Sequence, residues 1–225
     1  YSNVYFPTVR QDPAGDPYGV PIAQMQAALG AFAGPLADKS ATLNVGLPNA
    51  LSPDNWRLGT IDFLADSDGI GRRYFGYQNA YGWKIPSLPA RVAQDLGMAV
   101  PNVGSILLSW PGGRAGRPHL SYSDLYIDFN SQKRSRDPNE FTDKIVVIGV
   151  TATGVHDIRA TPAGSLYDGV DILASALDNL KNGNYLRPVP TPWTAAITLV
   201  LLVLLYAGFH ARLHTLKIGG ALLLL

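Results

Sequence analysis

Lys144-Ile145-Val146-Val147-Ile148-Gly149-Val150 is a run of β-branched residues between polar neighbours, the pattern of a strand buried on both faces. A Gly/Thr-rich stretch follows, and then Asp168 opens a second pattern. Val170, Leu173, Leu177 and Leu180 recur at helical spacing and form one apolar face, and Asn182-Gly183 supplies a C-terminal stop. A strand, a loop and an amphipathic helix in succession predict an α/β layer with the helix packed on a sheet.

Working towards the N-terminus, the expectation for residues 1–190 is one mixed α and β domain with many Gly and Pro turns. Residues 7–21, rich in Pro, Gly and Asp, read as a long surface loop. The content of Ile22 to Leu36 predicts one helix. Alternation predicts short strands over Ala41 to Leu47 and Trp56 to Leu64. Pro86 to Leu96 reads as a helix capped by Ser87, with Leu88, Val92, Ala93 and Leu96 on one face. Ser105 to Trp110 is a short apolar strand. The predicted class is α/β, a mixed sheet with packed helices, followed by a transmembrane helical hairpin.

The hairpin is read from the C-terminal segment, residues 191–225. Trp193 to Phe209 carries no charged residue, and a helix of that length rises about 25 Å, near the minimum for a bilayer core. Pro190 and Pro192 precede it, and the aromatic residues Trp193 and Tyr206 stand near its ends, where membrane interfaces favour them. A polar turn with His210, Arg212, His214 and Lys217 follows. From about residue 218 the chain is apolar again and starts a second helix. Arg212 and Lys217 on one flank balance Lys181 and Arg187 on the other, so the distribution of basic residues leaves the orientation open. Arg212 joins Trp193 and Tyr206 as an expected membrane anchor, with lipid as the partner.

Composition narrows the function classes. Charged residues make up 16%, below the roughly 25% of an ordinary soluble domain, which fits a lipid-facing segment. The net charge is +1, and the one basic run, Lys133-Arg134-Ser135-Arg136, stands beside Asp137 and Glu140 as a solvated loop would. No basic stripe speaks for nucleic acid. The absence of cysteine excludes disulfides and thiolate chemistry. The chain begins at Tyr1 rather than Met, and further sequence is expected upstream.

Four groups of residues have types that bind or react. Asp66-Ser67-Asp68-Gly69 resembles the opening of a calcium loop, but Ile70 and Tyr77 stand where further ligands belong. A polar turn, with Arg72 or Arg73 pairing the acids, is the other reading. Gly149 to Gly154 has phosphate-loop spacing without the lysine, leaving a strand-to-loop turn or a backbone anion nest. His119, Ser121, Ser123 and Asp124 include triad types but lack a nucleophile elbow. His156 beside Asp157 has the chemistry of a pH sensor or of a simple loop histidine. No catalytic constellation results, and no cofactor or metal site is expected.

Several stretches together resemble the CHASE2 family of bacterial extracytoplasmic sensor domains. The match runs through Asp143 to Ala152, Asp157, Ala160-Thr161-Pro162 and Gly169 to Leu180. It also takes in Asp66 to Arg73, Pro86-Ser87-Leu88 and Ser121 to Leu125, in the family's order. Ser175 and Leu173 stand where the family more often has Asn and His, and the first 55 residues match poorly. The resemblance implies a periplasmic domain on the bacterial inner membrane, with the 210–217 turn inside. It implies a receptor that binds an unknown small ligand or a partner protein, as a homodimer or within a membrane complex. The residues it points to for ligand binding are Asp66, Asp68, Arg72, Arg73, Thr151, Asp157 and Thr161. The alternative is a non-catalytic accessory or structural subunit of a larger membrane complex.

Overall fold

The fold is that of a computed structural model, which describes residues 3–11, 19–63, 65–110, 118–151 and 157–211. In chain order the elements are β1 (Phe6–Thr8), β2 (Val20–Pro21), α1 (Gln26–Leu29), β3 (Phe32–Ala33), β4 (Thr42–Leu43) and β5 (Leu58–Thr60). Then come β6 (Arg73–Phe75), β7 (Tyr77–Ala80), β8 (Trp83–Pro86), α2 (Leu88–Asp95) and β9 (Ser105–Leu107). The last are α3 (Tyr122–Asn130), β10 (Ile158–Thr161), β11 (Gly164–Asp168), α4 (Gly169–Asn182) and α5 (Thr191–His210).

The class is mixed α/β. In place of one mixed sheet, the described strands form small sheets. β3, β8 and β7 make a three-stranded antiparallel sheet, and β2–β4, β6–β9 and β10–β11 are antiparallel pairs. β1–β5 is the parallel pair. The chain divides into two compact units, one up to Leu186 and one from Arg187.

The first unit holds two apolar cores. One gathers Ile22, Leu29, Leu43, Leu58, Trp83 and Ile85. The other joins α2 and α4 to the β6–β9 pair through Ala90, Ala93, Ile106, Ile172, Leu177 and Leu180. Burying each large aliphatic side chain there contributes about 1.5–3 kcal/mol against exposure. α2 and α4 follow the sequence reading closely. The Ser87 hydroxyl accepts from the Ala90 N–H as the N-cap of α2, and α4 ends at Gly183 in the left-handed conformation.

Other expectations need correction. The helix foreseen over Ile22 to Leu36 is the single turn α1. Gly30 ends it with φ of +60°, and its carbonyl-side neighbours turn into β3 to pair with β8. The loop foreseen over 7–21 contributes strand residues at both ends, because β1 finds β5 and β2 finds β4; residues 12–18 lie outside the described ones.

The largest departure is at Lys144 to Val150. It lies outside any strand, and Ile148 is 74% exposed. β10 and β11, which follow it, pair with each other, and among the described strands none pairs with the apolar run.

The second unit contains α5, 20 residues long, or about 30 Å. It starts two residues before the predicted span and ends one after it. It is a candidate membrane span by length and composition. His210, assigned to the polar turn from sequence, is the last residue of this helix. The second helix of the expected hairpin, with Arg212, His214 and Lys217, falls outside the described residues.

Candidate functional site

The Asp66 to Arg73 segment is a tight polar turn clamped by one arginine. Gly69, with φ of +80°, lets the chain reverse so that its N–H reaches the Asp66 carbonyl, and the Asp66 N–H returns to the Ile70 carbonyl. The Asp68 carboxylate accepts the Ile70 N–H, an Asx turn. Arg72 closes the loop. Its Nη1 donates to Asp66 Oδ2 at 2.9 Å and Asp68 Oδ1 at 2.9 Å, and its Nη2 donates to Asp68 Oδ2 at 2.7 Å.

This fork holds the Asp68 carboxyl down at about 2, with the Ile70 N–H as the next contribution. Arg72 is raised by the same two acids. The oxygens a cation would need therefore already accept from a guanidinium, which favours the polar-turn reading over a calcium loop.

Two backbone bonds anchor this turn to the rest of the domain. The Gly71 N–H donates to Ala160 O of β10, and the Leu108 N–H donates to Arg72 O. The turn thus brings the Asp66–Arg72 cluster beside the strand that ends in Thr161. Thr161 itself is buried, and its hydroxyl donates to the Gly164 carbonyl across the β10–β11 turn. Asp157 faces the start of α4. Its carbonyl accepts the Gly169 N–H, and its carboxylate pairs with Arg159 Nε at 3.4 Å. Thr151 is exposed and belongs to none of these contacts. His156 and residues 152–156 lie outside the described residues, so the GVTATG turn is described only at its start.

Arg73 leaves the cluster for β6. Its neighbour Tyr74 points into the core, where burial and the nearby Asp62 and Asp157 charges raise its phenol. Strand alternation puts Arg73 and Phe75 on the opposite face. A cavity of about 130 Å³ beside this strand is lined by Ala65, Asp66, Arg73, Tyr74, Phe75 and Ser105.

Polar contacts that the sequence reading did not single out hold the neighbouring core. Asn179 is fully buried in α4. Its Nδ2 donates to the Ser109 and Ser175 carbonyls, and its Oδ1 accepts the Ser109 N–H, so the chain just after β9 is stitched to α4. Asp171, also buried in α4, has His119 Nε2 3.5 Å from its Oδ1. His119 is therefore tied to α4 rather than to Ser121 and Ser123, whose hydroxyls bond each other at 2.7 Å. The apolar spacing that marked α4 could not show these contacts, because Ser109 lies 70 residues from Asn179.

The basic run is held by local acids, as a solvated loop would be. Arg136 forks onto Glu140 at 2.6 and 2.5 Å, and the Arg134 guanidinium stacks over Phe129.

The profile of the CHASE2 domain matches residues 6–208. The chain belongs to the CHASE2 family. The match takes in residues 6–55, where the sequence resemblance is poor, and it covers β1 through most of α5. CHASE2 domains are extracytoplasmic, non-catalytic sensory domains of signalling proteins. No curated protein and no solved structure matches the chain.

In this CHASE2 chain the expected membrane anchors Trp193 and Tyr206 sit in the first turn of α5 and just before its last. Both are exposed, and Tyr206 stacks on His210. A candidate span in a chain of an extracytoplasmic domain family suggests anchoring in the membrane.

Proposed function

We propose that this CHASE2 domain is the sensory module of a bacterial inner-membrane receptor, and that it passes a change in its β6–β9 pair to α5. The observation that supports this reading is where the domain ends. The Leu186 N–H donates to Leu107 O at 2.8 Å, pinning the chain to β9. Only residues 187–190 separate that bond from the first residue of α5, and Pro188 and Pro190 stiffen them. A ligand that favours one position of β9 biases that link only to the extent that it binds the two positions unequally.

The test is insertion of a flexible Gly-Ser pair within residues 187–190 of the native membrane protein. We expect the ligand-dependent output to be lost while membrane level and fold are retained. Unchanged signalling would sink the mechanical link.

A second reading, a non-catalytic accessory subunit in a larger membrane complex, draws support from α3. Tyr122, Tyr126, Ile127 and Phe129 are all exposed there, as on a surface awaiting a partner or a second copy. A stable stoichiometric partner on purification, with no response to small molecules, would favour that reading.

A further inference from the structure

We infer that the cavity beside the β6–β9 pair binds a small monocarboxylate through Arg73, and that this is the sensory site of the receptor reading above. Among the described residues, Arg72 is consumed by Asp66 and Asp68, whereas nothing accepts from the Arg73 guanidinium. A planar fork with five donors matches a carboxylate in two parallel bonds. Phe75, two residues along the same strand face, supplies an apolar wall, and Ser105, its register partner on β9, supplies a hydroxyl.

Asp66 also lines the cavity, its carboxylate held by Arg72, so Arg73 is the lining cation left to meet an anion and one negative charge matches it better than two. The volume of about 130 Å³ takes a molecule of a few heavy atoms.

The site is also placed to report. Arg73 is the register partner of Leu107, and the Leu107 carbonyl holds Leu186. A ligand bridging Arg73 and Ser105 therefore touches both strands of the pair on which the membrane-proximal chain is fixed.

Titration of the full chain in lipid nanodiscs with acetate and pyruvate, followed by the Ser105 amide resonance, tests this. We expect saturable shifts with either anion, and roughly tenfold or weaker binding in Arg73→Gln, the loss of a charge-assisted pair. Arg73→Lys, which keeps charge without the fork, should lie between, and it carries the comparison should the glutamine variant not fold. Arg10→Gln, elsewhere on the surface, should bind as the parent does.

Absence of saturation, an undiminished response in the Arg73 variants, equal weakening in Arg10→Gln, or tighter binding of inorganic phosphate would each overturn the site. Binding is read without any signalling output. Its failure is therefore distinct from failure of the Gly-Ser insertion, which tests the link to α5.

Discussion

At the residue scale, the domain assigns adjacent arginines different tasks. Arg72 is structural, a clamp on two carboxylates, and Arg73 is presented outward on a strand. The clamp makes a pH prediction. Asp68 has its folded-state pKa depressed from 3.8 to about 2 by Arg72, so its contribution to stability is fully present above pH 3.8 and is lost as pH falls towards 2. Following the Asp68 carboxyl carbon by NMR across an acid titration should give a midpoint near 2, returning towards the ordinary carboxylate value in Arg72→Gln. An ordinary midpoint in the parent protein would mean that the fork does not persist in solution. The sequence exposed this cluster because its members lie within seven residues of one another. Asn179 shows the opposite case. Its side chain serves a backbone 70 residues away, and no local pattern marks a residue whose partner is that distant.

At the element scale, legibility followed whether an element carries its own stop and start signals. α2 has Ser87 at its N-cap and α4 has Gly183 beyond its C-terminus, and both were read with nearly their observed bounds. α1 failed because composition outweighed Gly30. A Cβ there would lie 1.8 Å from the Arg91 guanidinium, and the positive φ strains any side chain. The run Lys144 to Val150 failed for another reason: β propensity describes a residue's fit to a pleated, half-covered surface and does not create the neighbouring strand. In this fold, the backbone bond found within the run is the Lys144 N–H to Phe141 O, and Ile145, Val146, Ile148 and Val150 are exposed. Hydrogen exchange should therefore find the amides of residues 145–150 among the fastest of the extracytoplasmic domain, with those of the middle of α4 protected by orders of magnitude. Slow exchange across 145–150 would show that the run is paired in solution, as its composition alone predicts. An exposed row of this composition is a template for added strands, and the same experiment on concentrated protein would show protection appearing with association.

At the scale of the whole molecule, two solvents shape one chain. The domain up to Leu186 builds two buried apolar cores, while α5 is apolar on every side, with Ile197, Leu199, Val200, Leu202 and Val203 all exposed. A helix in water hides one face; a helix without a polar face is matched to lipid. Membership in an extracytoplasmic sensory family and a span of about 30 Å directly after the domain agree with that assignment. The assignment can be tested at one residue. Leu202→Arg places a charge in the middle of α5, where translocon-based scales put the cost of insertion at about 2.5–3.5 kcal/mol. If α5 crosses the bilayer, membrane-inserted protein should fall several-fold for the variant, and alkaline extraction should release what remains bound. Leu202→Val should behave as the parent does, because it preserves apolar surface. If instead α5 packs against protein, the charge would leave the membrane fraction unchanged and appear as lost stability of the folded chain. The two outcomes are separated by fractionation followed by a thermal melt of each variant, since a spanning helix loses insertion first and a packed helix loses cooperativity first.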